Sequence, residues 1–184
     1  LAVDFLLGRK KGPVTVNLST SRMSADLAAK HGVPFARAKV GEINVTMEMK
    51  KNGSVIGGEG NGGVILPDLH YGRDGILAVA LTLQAMSESN LPLSARIAAL
   101  PAYRIDKRKF TLGGVSLPEL YARLERELAG AGIDRRDGLW FGWEDRKSWL
   151  HVRPSNTEPV VRAIAEAPTA EEAARLCDAV AALL

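Results

Sequence analysis

Residues 54–75 read SVIGGEGNGGVILPDLHYGRDG, and the residues directly after the glycines decide the fold. Gly58-Glu59-Gly60-Asn61-Gly62-Gly63 has the G-x-G-x-x-G spacing of a dinucleotide-binding turn. That turn works where a helix starts at the last glycine, so that the helix N-terminus receives a pyrophosphate. Here Val64-Ile65-Leu66 runs on as a β-prone segment closed by Pro67. The stretch therefore reads as a strand from Ser54 to Gly57, a glycine-dense loop to Gly63, and a second strand from Val64 to Leu66. His70 and Tyr71 fall in a loop. Asp74 then caps a helix whose residues from Ile76 through Leu83 are apolar on nearly every side, the pattern of a helix buried between layers.

On the N-terminal side, Pro13 to Asn17 is a short strand with β-branched Val14 and Val16, and the Ser/Thr cluster through Ser21 opens a helix that stops at Gly32. Lys39-Val40-Gly41 ends another strand pattern and precedes a second apolar stretch. Strands alternating with helices predict an α/β domain, a mixed sheet between helical layers. Polar residues and prolines from Glu88 to Pro101 surround a short helical pattern, Ser94 to Leu100, and place a domain boundary near Pro101. This divides the chain into residues 1–101 and 102–184.

The second part has another texture. Ser116 and Glu119 form a capping box, and Leu117, Leu120, Leu124 and Leu128 line one face of a helix ending at Gly130 to Gly132. Leu139 to Trp143 and Trp149 to Arg153 form a hairpin across Glu144 to Ser148. A third strand, Val160 to Glu166, leads to a helix capped by Thr169 and Glu172, with an apolar stripe of Ala173, Leu176, Val180 and Leu183. The expectation is a small α+β domain, an antiparallel sheet with two helices on one face.

Composition narrows the function classes. The 184 residues are 46% hydrophobic and 24% charged, a balance that excludes a disordered tail or a fibre. Lys+Arg 24 against Asp+Glu 21 leaves +3, with both signs interspersed, so no nucleic-acid partner is expected. The basic segment Arg104, Lys107, Arg108, Lys109 is the one candidate for a polyanion. The longest uncharged run, Ile76 to Met86, falls short of the roughly 18 apolar residues of a membrane span, and no membrane association is expected. Cys177 lies in an Ala- and Leu-rich helical pattern and reads as a small buried hydrophobe. The lack of a signal-like segment points to the cytoplasm, and a start at Leu1 instead of methionine points to a piece of a longer protein.

Three places carry chemistry. Glu59 sits on a backbone nearly free of side chains, where a carboxylate can approach a small ligand and accept two hydrogen bonds from adjacent hydroxyls, as sugars present them. The plainer reading is a hairpin turn with a solvated glutamate. The run Arg153-Pro154-Ser155-Asn156-Thr157-Glu158-Pro159, with Arg162 beyond it, comes directly after a strand. Arg153 and Arg162 offer charge-assisted hydrogen bonds while Ser155, Asn156 and Thr157 supply neutral donors, the set that a phosphate dianion asks for. The alternative is a polar turn with two surface arginines, although prolines at both ends favour a stiff, pre-shaped loop. Lys39 is a candidate for a phosphate contact or proton transfer, against the ordinary role of a solvated surface charge. His31, His70 and His151 show no metal-ligand spacing, and no metal site is expected in this chain.

Taken in this order, the pieces resemble the C-terminal half of the α-D-phosphohexomutases, the family of phosphoglucomutases, phosphomannomutases and phosphoglucosamine mutases. Lys39-Val40-Gly41 looks like the family's Lys-Val-Gly element, Gly58-Glu59 with its glycines like the sugar-recognition loop, and Asp74-Gly75 like the helix start after it. Arg153 to Pro159 with Arg162 is similar to the phosphate-binding loop almost residue for residue. The resemblance covers the whole chain. It implies the third family domain, lacking its opening segment, at residues 1–101 and a TBP-like fourth domain at 102–184. Asn61 and Gly63 stand where many members carry Ser and His, a form similar to a subgroup often regarded as phosphoglucosamine mutases. Implied roles are sugar binding for Glu59 and Asn61, phosphate binding for Arg153, Ser155, Asn156, Thr157 and Arg162, and a phosphate contact or proton transfer for Lys39. The family's phosphoserine and Mg²⁺ loops have no counterpart here. The resemblance thus implies a hexose phosphate substrate, Mg²⁺ and a hexose 1,6-bisphosphate for the whole enzyme, with N-terminal domains of the same enzyme as partners. This chain would bind and not transfer. The rival from another class is a stand-alone sugar-phosphate-binding module.

Overall fold

In the computed structural model, which describes residues 1–155, 158 and 160–184, the chain separates into two units, Leu1–Ala102 and Tyr103–Leu184. The first runs α1 (Ala2–Leu7), β1 (Val14–Asn17), α2 (Met23–Lys30), β2 (Phe35–Ala38), α3 (Glu42–Asn52), β3 (Ile56–Gly58), β4 (Val64–Leu66), β5 (His70–Asp74), α4 (Gly75–Ser89) and α5 (Leu93–Ala98). Its sheet has the order β2-β1-β3-β4-β5, with β1 parallel to both β2 and β3 and the last three strands antiparallel. From β1 the chain steps to one side to make β2, then crosses back to make β3 on the other side. Right-handed crossovers in opposite directions place their helices on opposite faces. Accordingly Val14, Val16 and Ile56 pack with Leu6, Leu7 and Ala28 of α1 and α2, while Ala38 and Ile65 pack with Val45 and Met49 of α3. The result is the three-layer α/β arrangement read from the alternation of elements.

Three expectations are corrected. His70 and Tyr71 lie on β5 and not in a loop, paired to β4 across a shifted register that short-range patterning does not reveal. The stretch after Gly41, read only as apolar, is the helix α3, a mixed sequence that buries Val45, Thr46 and Met49. The helix α4, capped by Asp74 as expected through its acceptance of the Leu77 N–H at 2.8 Å, is not buried on all sides. It packs on α1 and β4, Ala85 is its buried residue, and Ile76, Val79 and Leu83 stay exposed, Ile76 at 84%. Apolar content around a helix reports which faces tolerate burial, not which ones are covered within a given chain.

The second unit comprises β6 (Arg104–Phe110), α6 (Leu117–Glu127), β7 (Gly132–Asp134), β8 (Leu139–Trp143), β9 (Ser148–Pro154), β10 (Val161–Ala167) and α7 (Ala170–Ala182). The sheet, order β6-β10-β9-β8-β7, is antiparallel throughout. Both helix starts are capped by the expected side chain: Ser116 Oγ accepts from Glu119 N at 3.3 Å and Thr169 Oγ1 from Glu172 N at 3.2 Å. One core cluster joins Leu120 and Leu124 of α6, Cys177 and Val180 of α7, and Leu139, Phe141, Leu150, Val152, Ala163 and Ala165 of the sheet. The hairpin and third strand are as read, and β6 and β7 extend the sheet at its two edges. The sequence of β6, Arg-Ile-Asp-Lys-Arg-Lys-Phe, looks like a solvated basic segment because an edge strand can alternate charged residues without a fully apolar face. No helix among the described residues is long and apolar enough to cross a membrane.

Candidate functional site

In the first unit the chemistry gathers where the parallel strands end. β1 is the point at which strand order reverses, and in open α/β sheets the crevice outside the carboxyl ends at such a point is where ligands sit. Asn17 ends β1, Lys39 comes just after β2, and Glu59 just after β3. The Glu59 carboxylate is 7% exposed. Its Oε1 accepts from Asn17 Nδ2 at 2.8 Å and from Gly41 N at 2.9 Å, and its Oε2 meets Arg73 Nη1 at 2.9 Å. Gly41 is the N-cap of α3 at φ 118°, a backbone state that side chains oppose, so the N–H reaching Glu59 depends on glycine. An anion there also complements the positive end of α3. Arg73 bridges onward, donating from Nε to Glu42 Oε2 and from its backbone N to Glu42 Oε1, both at 3.0 Å. These two bonds, the backbone one first, hold the Glu42 carboxyl below its ordinary range, and Glu42 followed by Glu59 raises the arginine.

The sequence singles out Glu59, Asn61 and Lys39. Glu59 is the centre of the cluster, with its oxygens engaged inside the protein. Asn61 is exposed on the same loop and accepts from Gly63 N at 3.4 Å. Lys39 is exposed and makes no ion pair among the described residues. Asn17 and Arg73 escape sequence reasoning, and Gly41 enters it only as the end of the Lys39-Val40-Gly41 motif, without a role. Asn17 also sets the loop after β1 by accepting from Ser19 N at 3.0 Å and Thr20 Oγ1 at 2.8 Å. A cavity of about 250 Å³ beside the glycine loop is lined by Thr20, Ser24, Glu59, Gly63 and Thr82 among others.

In the second unit strand pairing does what spacing along the chain could not. Arg162 of β10 lies directly opposite Arg153 of β9 on one side and Lys109 of β6 on the other. Three cations thus form a row across three neighbouring strands. Like charges directly opposite destabilise a sheet, so the row needs anions. Two are present: Asp137 Oδ1 takes Arg153 Nε at 3.2 Å, and Glu158 Oε2 meets Lys109 Nζ at 2.8 Å and Arg162 Nη2 at 3.6 Å. Lys109, then Arg162, hold the Glu158 carboxyl below its usual range. Arg162 Nε remains buried without a hydrogen-bond partner among the described residues. Ser155 donates its backbone N–H to Val160 O at 2.8 Å and closes the loop. Asn156 and Thr157 lie outside the described residues. In the sequence Lys109 stands out only as part of a basic segment, and its neighbour Arg108 is turned to Asp106 and Asp178.

His151, two residues before Arg153, is fully buried and donates from Nε2 to Asp137 O at 2.6 Å. Burial pushes its pKa below the ordinary value. The unfolded chain takes up a proton near pH 6.5 and the folded one resists it, so this contribution to stability is present above pH 6.5 and lost as pH falls below it. Urea titrations should show the second unit losing at most about 1.4 kcal/mol per pH unit from this group between pH 6.5 and 5. In His151→Gln that slope should shrink. An unchanged slope would remove His151 as its source.

Among the described residues no group of three or more His, Cys, Asp or Glu side chains gathers as a metal site. Cys177 is buried in the core, its thiol pushed up to about 12 mainly by that burial.

Against known proteins, residues 1–103 match the description "Phosphoglucomutase/phosphomannomutase, alpha/beta/alpha domain III" and residues 94–183 match "Phosphoglucomutase/phosphomannomutase, C-terminal domain". A probable phosphoglucosamine mutase of Methanopyrus kandleri is 35% identical over 173 residues, which is 92% of this chain and 38% of the relative. A phosphoglucomutase/phosphomannomutase of Thermococcus kodakarensis is 35% identical over 176 residues, 94% of this chain and 38% of that protein. The chain therefore spans under two fifths of the length of these curated relatives. A crystal structure of a phosphoglucomutase/phosphomannomutase family protein from Burkholderia thailandensis shares the fold, with a TM-score of 0.78 and 24% identity over 99% of this chain and 39% of that one. The chain belongs to the phosphoglucomutase/phosphomannomutase family.

Proposed function

We propose that this chain is the sugar- and phosphate-binding part of a phosphohexomutase, an enzyme that interconverts hexose 1-phosphate and hexose 6-phosphate through a phosphoserine and a hexose 1,6-bisphosphate, with glucosamine phosphate the favoured substrate. The observation that carries the reading is the like-charged row Lys109, Arg162 and Arg153, with the buried Nε of Arg162, which has no hydrogen-bond partner among the described residues. A sheet accepts such a row where an anion completes it. Phosphate binding falls to Arg153, Ser155, Asn156, Thr157 and Arg162, joined by Lys109. Sugar binding falls to Glu59 and Asn61, and Lys39 is the neighbouring cation for a phosphate oxygen or a proton. Support for glucosamine comes from the form of the glycine loop and from the name of the Methanopyrus relative.

The Mg²⁺ that the family resemblance implies does not fit this chain's described residues, which hold no ligand cluster. The work of these residues is positional: they hold the hexose and its non-reacting phosphate, a proximity contribution. The remaining domains of the same enzyme are the proposed partners, and a cytoplasmic location goes with this reading.

Titration calorimetry with glucosamine 6-phosphate, glucose 6-phosphate and inorganic phosphate tests it. Glu59→Gln should weaken the hexose phosphates about tenfold, the scale of one charge-assisted hydrogen bond, and leave inorganic phosphate unchanged. An amide there also turns a donor toward Asn17, Gly41 or Arg73, which all donate to Glu59, so the variant's fold is checked in parallel. Equal losses for hexose phosphates and inorganic phosphate would refute a sugar-facing role for Glu59.

A further inference from the structure

We propose that Asp137 is a positioning residue for phosphate binding: it holds the Arg153 guanidinium at Nε, so that the Nη atoms meet the anion. The inference rests on the phosphate-binding reading of Arg153. Asp137 belongs to the turn between β7 and β8, and three anchors tie that turn to β9. Its carbonyl oxygen accepts from the buried His151 at 2.6 Å. The next residue, Gly138, has φ +71°, and a Cβ there would stand 2.4 Å from Val152 O and 2.9 Å from Arg153 Cα, so the turn lies against the backbone that carries the arginine. The carboxylate then reaches Arg153 Nε at 3.2 Å, with the two side chains only 12% and 17% exposed.

These anchors separate the pair from an ordinary surface ion pair, in which two long side chains must be ordered to meet and little is gained. The carboxylate here is set by its own backbone before any ligand arrives. Arginine is otherwise a flexible side chain, and ordering it ahead of binding removes that cost from the binding step. Contact through Nε also suits an end-on approach, because a guanidinium has five N–H donors in a planar fork and Nε supplies only one of them. The charge of Asp137 works the other way, since a carboxylate beside a phosphate dianion repels it. Position and charge therefore predict opposite effects for two substitutions.

The test is a titration of the 184-residue chain with inorganic phosphate, monitored through the Arg Nε–H resonances in nuclear magnetic resonance spectra, the Arg153 signal being assigned by its loss in Arg153→Ala. Asp137→Ala should weaken phosphate about fivefold, the ordering cost of one rotamer-rich side chain, and move the Arg153 Nε–H signal to a solvated position. Asp137→Asn keeps an oxygen acceptor and loses the charge, so it should bind phosphate at least as tightly as the parent and keep the Nε–H signal in its hydrogen-bonded position. A folded Asp137→Ala that binds phosphate like the parent, while Arg153→Ala does not, overturns the proposal and leaves the phosphate loop intact. Retention of phosphate by Arg153→Ala instead overturns the loop reading, and this proposal with it. Should Asp137→Ala fail to fold, a solvated Arg153 Nε–H in Asp137→Asn with undiminished affinity overturns the positioning role.

Discussion

Arg153→Ala lowers the affinity of this chain for inorganic phosphate by more than about tenfold, the largest single loss expected at the loop. Each hydrogen bond to a charged group contributes about 1.5–3 kcal/mol, and about 1.4 kcal/mol is a factor of ten, so losing one such bond suffices. The substitution also leaves the Asp137 carboxylate, 17% exposed, without the guanidinium that balances it. That residual charge repels the incoming dianion, so the loss exceeds the removed bonds. Arg162→Ala should cost the same or less, because Arg162 is 38% exposed and shares Glu158 with Lys109. Ser155→Ala removes a neutral hydroxyl and should cost about 0.5–1.5 kcal/mol. Calorimetry at low ionic strength measures the series. If Arg153→Ala binds phosphate like the parent, the loop is a polar turn and the row of cations has another purpose.

Phe141→Ala should cost the second unit about 3–5 kcal/mol. Phe141 is fully buried on β8, in the cluster that joins α6 and α7 to the sheet, with its ring 6.2 Å from that of Trp143. Whole domains are stable by only about 5–15 kcal/mol, so the loss threatens the folded state of this unit outright. All three tryptophans, Trp140, Trp143 and Trp149, lie in the second unit, so their fluorescence in urea reports on it alone. The midpoint should fall steeply for Phe141→Ala. It should move little for Ile133→Ala on the edge strand β7, where the side chain is already 36% exposed and less apolar area is lost. Similar midpoint shifts for the two variants would mean that the core is not centred where burial places it.

Elements whose cause is local are legible in the amino-acid order alone. The helix starts at Asp74, Ser116 and Thr169 arise from a side-chain oxygen reaching an unpaired N–H within three residues, a relation confined to one turn. Val64 after the glycine loop is enough to exclude a pyrophosphate turn, because the alternative needs a helix at that very residue. The arginines that flank the β9–β10 loop are legible as candidates, since their residue types carry the chemistry. Pairing is another matter, and the folded chain alone settles it. Lys109 stands in line with Arg162 and Arg153 because β6 joins β10 at the sheet edge, 44 positions away along the chain for Arg153. Asn17, Gly41 and Arg73 meet at Glu59 because two parallel crossovers bring three strand ends together and β5 folds back beside them. The exposed face of α4 belongs to the same class: its residues state a preference for burial, and coverage depends on what the rest of the molecule sets against it. Local signals act over a few residues through caps, turns and periodicity, whereas register, crossover direction and coverage are properties of segments that meet only after the chain has folded.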